Sequence, residues 1–250
     1  MSSGLTIVHT HLQFPTVSLA EPSPSVFIHL AAEIDSRPAF LPSSRIKKKT
    51  VARCKELCAQ LQARREGVGA WVFKAIFIPP GKGEFIEQRK HVVHVARFDL
   101  AVLIECESHD IARQVQALPN YNTLLYAISD SASFVHQITA TNIRRIAPVD
   151  HSRQGVFLFN YFFADHVEQN LAVWNYTAGW LQAETGLDNS TVLLPVDATE
   201  SKYSMINHCR WDALGQILPS LIFKNSFRSY VLANFAANNV AAMPILYRLA

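Results

Sequence analysis

The chain has little of what marks the common cofactor-binding and nucleic-acid-binding proteins. Only nine of its 250 residues are glycine, and neither a GxGxxG nor a GxxxxGK[ST] motif occurs, so the signatures of dinucleotide and P-loop binding are absent. Charged residues make up only 17% of the chain and the formal net charge is +3. No basic stripe with interleaved aromatics stands out, so we expect no nucleic-acid partner.

Cysteine and long apolar runs are also scarce. None of the four cysteines forms a CxxC pair, and Cys54 and Cys58 lie four apart in a helical stretch, which favours buried thiols in a reducing cytoplasm. No apolar run reaches about 18 residues and no export signal is visible, so no membrane association is expected. His91 and His94 would face opposite sides of a strand, so no metal site is predicted.

What the chain does contain is one pattern of strands and helices repeated twice. Residues 1–24 end in a Pro/Ser-rich stretch and are predicted to form a peripheral arm, followed by repeats over 25–150 and 151–250. The first repeat is predicted as strand 25–34, helix 44–65, strand 69–79, strand 91–106, helix 109–128 and strand 133–146. The second is predicted as strand 155–164, helix 166–185, strand 190–196, strand 202–212, helix 213–238 and strand 241–249.

Two local matches support an internal duplication. Gly67 and Gly186 occupy the same place after the first helix of each repeat. The triplet that begins at Arg97 matches the triplet that begins at Arg210, each being arginine, an aromatic residue and aspartate. The sequence therefore predicts an α+β protein built from two tandem ferredoxin-like βαββαβ repeats.

The second repeat also carries a resemblance to a known group of proteins. Trp211-Asp212 precedes an amphipathic helix that contains Asn225-Ser-Phe-Arg-Ser-Tyr230, and this pattern resembles the antibiotic-biosynthesis-monooxygenase-like dimeric α/β-barrel superfamily. The resemblance implies two facing four-stranded sheets with helices outside. Because both repeats lie in one chain, the barrel could close as a monomer, and a homodimer is the alternative.

The resemblance also implies an activity. Cofactor-free members of the superfamily oxygenate electron-rich polycyclic or quinol-like substrates, so this chain is expected to be an oxygenase-type or cyclase-type enzyme that binds a planar, apolar small molecule without a cofactor. Two alternatives stay open: a haem-dependent barrel enzyme with an axial histidine, and a non-catalytic ligand-binding or assembly protein. Fold supports activity weakly, so the choice depends on the site.

Side-chain alternation suggests where that site lies. On strand 202–212, Tyr203, Met205, Asn207, Cys209 and Trp211 share one face, which is predicted to line a pocket between the sheet and the helices. A single amide among apolar side chains is a plausible substrate anchor. The predicted catalytic residues are Asn207, His208 and Trp211. The predicted substrate-binding residues are Tyr161, Trp174, Trp180, Tyr203, Met205 and His94.

Each of these residues also has a structural explanation. Asn207 could satisfy a backbone group, the tryptophans could fill core, and the histidines could be buried and neutral. The pairs Arg97–Asp99 and Arg210–Asp212 share faces and are predicted to form structural ion pairs. Because the second repeat is richer in such side chains, we expect the larger functional cavity there.

Overall fold

The computed structural model describes residues 4–81 and 83–250. The strands are β1 (Val26–Glu33), β2 (Val68–Phe77), β3 (Leu100–Cys106), β4 (Phe134–Arg145), β5 (Val156–Ala164), β6 (Thr191–Pro195), β7 (Met205–Trp211) and β8 (Val240–Leu249). The helices are α1 (Arg45–Arg64), α2 (Glu84–Gln88), α3 (His109–Gln116), α4 (Pro119–Ser129), α5 (Val167–Thr185), α6 (Leu214–Phe223), a π-helix (Phe227–Leu232) and α7 (Ala233–Ala237).

The eight strands form one closed antiparallel barrel in the order β1-β3-β2-β8-β5-β7-β6-β4. Each half contributes a four-stranded sheet, β4-β1-β3-β2 or β8-β5-β7-β6, which is the strand order of a ferredoxin-like unit. The two sheets join where β2 pairs with β8 and where β4 pairs with β6. The predicted two-repeat α+β fold is confirmed, and the barrel closes within one chain.

The strands bury both of their faces. Alternate side chains enter the barrel interior, where the largest apolar cluster includes Phe73, Phe98, Phe157 and Phe159. The other faces pack under the helices, against α1, α3 and α4 in the first half and against α5 to α7 in the second. Burial on both faces explains why the strands are so rich in apolar residues.

Helix α1 forms as the sequence predicted. Ser44 caps it by accepting the Lys47 N–H at 3.1 Å, and Cys54 and Cys58 lie on its buried stripe as free thiols. Burial raises the pKa of Cys54 to about 12, so this thiol is unreactive at neutral pH.

Residues 91–98 differ from the prediction, because β3 begins only at Leu100. This segment instead closes one end of the barrel, where Val93, Ala96 and Phe98 join the interior cluster. The short spacing of its buried apolar residues is the same as that of a strand, which explains the wrong prediction.

The matched triplets are not structural counterparts either. Val26 pairs with Cys106 as Val156 pairs with Trp211, so the counterpart of Trp211 is Cys106.

One predicted ion pair is consequently wrong. Arg97 is exposed, whereas Asp99 is 1% exposed and its carboxylate lies 3.0 Å from the Lys47 ammonium. The second pair is confirmed, since Arg210 Nη2 lies 2.9 Å from Asp212 Oδ1. The first pair fails because the strand alternation that would place both side chains on one face does not extend to residue 97.

Two long predicted helices are interrupted. The segment 109–128 divides into α3 and α4 at Pro119, which begins the second helix because proline lacks an N–H donor. The segment 213–238 divides into α6, the π-helix and α7. No helix within the described residues has the length and apolar character that crossing a bilayer would require.

Candidate functional site

A cavity of about 60 Å³ lies between the sheet and the helices of the second half. Its floor comes from β5, β7 and β8, and its walls come from α5, α6, the π-helix and α7. Most of the lining is apolar, and the polar side chains among it are two asparagines and Thr177. The lining residues are Leu158, Asn160, Phe162, Trp174, Thr177, Ala178, Leu181, Asn207, Ile217, Leu221, Phe227, Val231, Leu232, Phe235, Ala242, Pro244 and Leu246.

The two asparagines face each other across neighbouring strands, because Asn160 of β5 is the register partner of Asn207 of β7. Asn207 Oδ1 accepts a hydrogen bond from Ser190 Oγ at 2.6 Å. Asn160 Oδ1 is buried and has no hydrogen-bond partner. A buried amide group left unpaired costs about 1–3 kcal/mol, so Asn160 Oδ1 is an acceptor that the protein itself leaves unused.

Asn160 was missed by the sequence reasoning. The signal was available, since it is the only strongly polar residue in the apolar run Gly155–Ala164. A polar residue inside a strand that is buried on both faces needs an explanation, and here that explanation is the cavity. Only the strand register shows that Asn160 meets Asn207.

The predicted tryptophans do not all line the cavity. Trp174 lines the cavity. Trp180 points elsewhere, with its Nε1 donating to Ser226 Oγ at 3.0 Å, and Trp211 donates its Nε1 to Thr185 Oγ1 at 3.0 Å. Met205 is fully buried in the same apolar cluster as Trp174 and is absent from the cavity lining. Of the predicted residues, Asn207 and Trp174 are thus the ones brought together.

Tyr161 and Tyr203 lie inside the barrel, on the opposite side of the sheet from the cavity. Tyr203 was expected beside Asn207, but β7 begins at Met205, so the alternation does not reach residue 203. Its hydroxyl donates to the carbonyl of His94 at 3.0 Å. The Tyr161 hydroxyl lies 3.4 Å from His29 Nε2.

His208 also faces the barrel interior. Its Nδ1 donates to the Leu158 carbonyl at 3.0 Å, and its Nε2 lies 2.8 Å from His151 Nε2. Burial, and next the neighbouring His151, holds the pKa of His208 well below 6.5. His208 is therefore neutral at physiological pH and separated from Asn207 by the sheet itself.

His94 lies at the end of the barrel that residues 91–98 close. Its Nε2 is 2.8 Å from Glu33 Oε1, and its ring stacks on Phe134 with 3.7 Å between centroids. The structure does not bring His94, His208 and Trp211 to one place. The two histidines have the surroundings of structural residues.

Neither haem nor a metal ion fits the cavity. The described residues that line it include no histidine, cysteine, tyrosine or methionine that could serve as an axial ligand. Within residues 4–81 and 83–250, no group of three or more metal-ligating side chains is found. The donor set of the cavity is two amides and one hydroxyl, which suits an uncharged organic ligand.

Comparison with known proteins identifies the fold. No protein-family model and no curated protein matches the chain. Among solved structures, an anthrone oxidase-like protein superposes with a TM-score of 0.65 at 11% identity and 94% coverage of both chains. A candidate monooxygenase from Fusobacterium nucleatum gives a TM-score of 0.55 at 6% identity, covering 91% of this chain and 93% of the other. A dye-decolorizing peroxidase from Bacteroides thetaiotaomicron gives 0.51 at 8% identity, with coverage of 94% and 96%.

These likenesses and the strand order define the class of the protein. It has a dimeric-type α/β-barrel fold with both ferredoxin-like units in one chain, and the anthrone oxidase-like protein and the candidate monooxygenase share that fold. At 6–11% identity the likeness concerns the fold alone.

Proposed function

We propose that the second-half cavity is the active site of a cofactor-independent oxygenase or cyclase-type enzyme that acts on a planar, largely apolar substrate. The observation that carries the proposal is the buried Asn160 Oδ1, which has no hydrogen-bond partner in an otherwise apolar cavity and belongs to the register partner of Asn207. A carbonyl or hydroxyl of a polycyclic ketone would be held there, and its rings would lie against Trp174 and the phenylalanines.

The amides would act on charge that develops on the substrate. An electron-rich ketone such as anthrone becomes reactive toward dioxygen when it loses a proton and forms an enolate. Amide N–H donors aimed at the enolate oxygen stabilise that charge, and they do so more strongly in a water-poor cavity than in solution. Asn207 is well placed for this role, because Ser190 fixes its Oδ1.

The oxidation can balance without a cofactor. The enolate passes an electron to dioxygen, a carbon–oxygen bond forms at the former methylene carbon, and that carbon becomes a carbonyl. One oxygen atom enters the product, and the other leaves as water with the two hydrogens of the methylene group. Dioxygen is the oxidant and the substrate carbon is the reductant.

No carboxylate, imidazole, ammonium or phenol is present among the described residues that line the cavity. The proton must therefore leave to water. The rate is expected to rise with pH up to the pKa of the substrate itself, whereas a protein base would impose its own pKa. Substrates of different acidity should accordingly give different pH profiles with the same protein.

The experiment measures oxygen uptake and anthrone binding for the wild type, Asn160→Leu and Asn207→Leu. Asn160→Leu is expected to lower kcat/KM about 10- to 100-fold, which corresponds to the loss of about one hydrogen bond. Because Asn160 Oδ1 has no partner within the protein, this substitution should leave the melting temperature unchanged or raise it. Asn207→Leu should lower both activity and stability, since it also removes the Ser190 contact.

Asn122, an exposed residue of α4, supplies the matched control. Asn122→Leu should change neither activity nor binding. Full oxygen uptake in Asn160→Leu would refute the proposed site. Binding of anthrone that depends on Asn160, without oxygen uptake, would favour the alternative of a non-catalytic ligand-binding protein.

A further inference from the structure

The N-terminal arm is not loosely attached. Residues 5–17 run across the outer side of the second half's helices, where Val17 is 4% exposed. Leu5, Leu12 and Phe14 pack against the same apolar cluster. Residues 5–17, which contain no helix or strand, thus form an additional layer over the helices that line the cavity.

Two asparagines of the helix layer hold the main chain of the arm. Asn238 Oδ1 accepts the Thr6 N–H at 2.9 Å, and Asn238 Nδ2 donates to the Thr6 carbonyl at 2.8 Å. Asn234 Oδ1 accepts the Val8 N–H at 2.9 Å, and Asn234 Nδ2 lies 3.3 Å from the Val8 carbonyl. Because residues 234 and 238 are four apart on one helical face, they bind alternate residues of an extended segment.

The other end of the arm lies on α5. The Pro15 carbonyl approaches Gly179 so closely that a Cβ added there would lie 1.7 Å from its oxygen. The Phe14 ring lies 4.7 Å from the ring of Tyr230 in the π-helix. The arm therefore connects α5 with the π-helix and α7 from outside.

Those helices all contribute to the walls of the cavity. Trp174 belongs to α5, and Val231 and Phe235 belong to the π-helix and α7. All three line the cavity, and all three belong to the apolar cluster that the arm covers. A force that holds the arm in place therefore also holds the two walls together.

The cavity in this conformation is too small for the ligand that its lining suits. An apolar cavity of about 150 Å³ accommodates benzene, and this one measures about 60 Å³. A planar ligand with several rings can enter only if the walls separate. The π-helix is a suitable place for movement, because its wider turns are usually found where a helix is locally adapted to function.

We propose that residues 5–17 form a latch that holds α5 against the π-helix and α7, and that release of the latch opens the cavity. The latch is a regulatory feature of the site proposed above and rests on that proposal for its biological meaning. Whether residues 5–17 control the opening of the cavity does not depend on whether the protein is an enzyme.

Gly179→Ala is the variant that tests the latch. The added methyl group displaces the Pro15 carbonyl, whereas alanine is favoured over glycine inside a helix by about 1 kcal/mol, so α5 itself is not weakened. Gly215→Ala in α6 is the matched control, because no atom lies within 4 Å of its Cβ position. Asn234→Ala is a second variant that releases the arm at its other end.

Opening is measured in the full-length chain that carries Thr177→Cys. Thr177 is buried and lines the cavity, so the new thiol reacts with methyl methanethiosulfonate only when the walls separate. Cys54 and Cys58, buried under α1 in the first half, report global unfolding in the same sample. Peptide mass spectrometry gives the labelling rate of each cysteine separately.

Gly179→Ala and Asn234→Ala are each expected to accelerate labelling at position 177 at least tenfold, with the rates at Cys54 and Cys58 unchanged. Gly215→Ala should have no effect. Equal acceleration at all cysteines would show that the arm merely adds global stability, and an unchanged rate at position 177 would show that it does not close the cavity. Either result would overturn the latch. Neither would decide the enzymatic proposal, because no substrate is present.

Discussion

The two halves of the barrel share one strand order but differ at one register pair. In the second half, Asn160 faces Asn207, and the pair lines a cavity. At the corresponding step of the first half, Leu30 faces Val102, and both are fully buried in a continuous apolar cluster under the helices. Equivalent backbone positions thus form solid core in one half and a polar floor in the other.

This difference places amide groups under the helices of the second half and apolar groups under those of the first. In the first half the apolar pair belongs to one apolar cluster that joins the sheet to α1, α3 and α4. In the second half Asn160 Oδ1 is an acceptor that only a ligand, water or an opposing polar group can satisfy. The covering layer there contains a π-helix, and residues of the N-terminal arm pack against the same apolar cluster.

The largest loss of unfolding free energy is expected at acidic pH, because protonation affects histidines in the barrel interior that both halves share. Burial, with the neighbouring His136, lowers the pKa of His29 to about 3, and burial, with His94 and Lys202, lowers the pKa of His136 to about 4. The unfolded pKa is about 6.5. The stability from keeping these imidazoles neutral is therefore complete above pH 6.5 and is lost as the pH falls toward 4.

Each buried histidine should remove about 1.4 kcal/mol per pH unit in this window, so the two together remove about 5 kcal/mol between pH 6.5 and 4. Urea unfolding at a series of pH values measures the slope. His29→Leu should reduce the slope of the unfolding free energy against pH by about 1.4 kcal/mol per pH unit, because one titrating group is removed. His109→Leu, at an exposed position, should leave the slope unchanged. Equal slopes in the two variants would contradict this explanation.

A smaller effect separates the two aspartates that the matched triplets contain. Asp99 lies 3.0 Å from the Lys47 ammonium and accepts the Ile34 N–H at 2.7 Å, with almost no exposure. Asp99→Ala leaves a buried lysine unpaired and should cost about 3–5 kcal/mol of unfolding free energy. Asp212 has a side chain that is 59% exposed, so Asp212→Ala should cost less than about 1 kcal/mol. Equal losses would show that the halves are more alike than the contacts indicate.

The smallest expected effect comes from giving the first half the polar residue of the second. Leu30→Asn places an amide under α1, where the apolar cluster offers it no obvious partner, and should cost about 2–4 kcal/mol. Leu30→Met, which conserves volume, should cost less than about 1.5 kcal/mol. Neither variant should bind anthrone in a dye-displacement or calorimetric assay. Binding by Leu30→Asn would mean that the amide alone creates a site, without a preformed cavity.

Much of the fold could be predicted because its signals are local. Apolar periodicity located α1, α5 and seven of the strands to within three residues at each end. The prediction of a strand over 91–98 was wrong because apolar residues of this segment are buried at one end of the barrel, and their spacing along the chain is the same as in a strand. Pairing partners decide whether such a segment is a strand, and they are remote in sequence.

The candidate site was predicted only in part. Asn207 and Trp174 were identified and meet at the cavity, whereas Asn160 was overlooked. Tyr161 and His208 have suitable chemistry but face the barrel interior. Alternation along one strand tells which residues share a face, but it does not tell which face belongs to the cavity.

The order of strands and helices and the apolar character of both sheet faces were determined by the sequence alone, because each depends on the spacing of neighbouring residues. The tertiary structure decided the rest. It placed Asn160 opposite Asn207 through strand register, joined Lys47 rather than Arg97 to Asp99, and laid residues 5–17 over the cavity walls. These contacts join residues far apart along the chain, and they form only when helices and sheet have packed, so no local pattern records them.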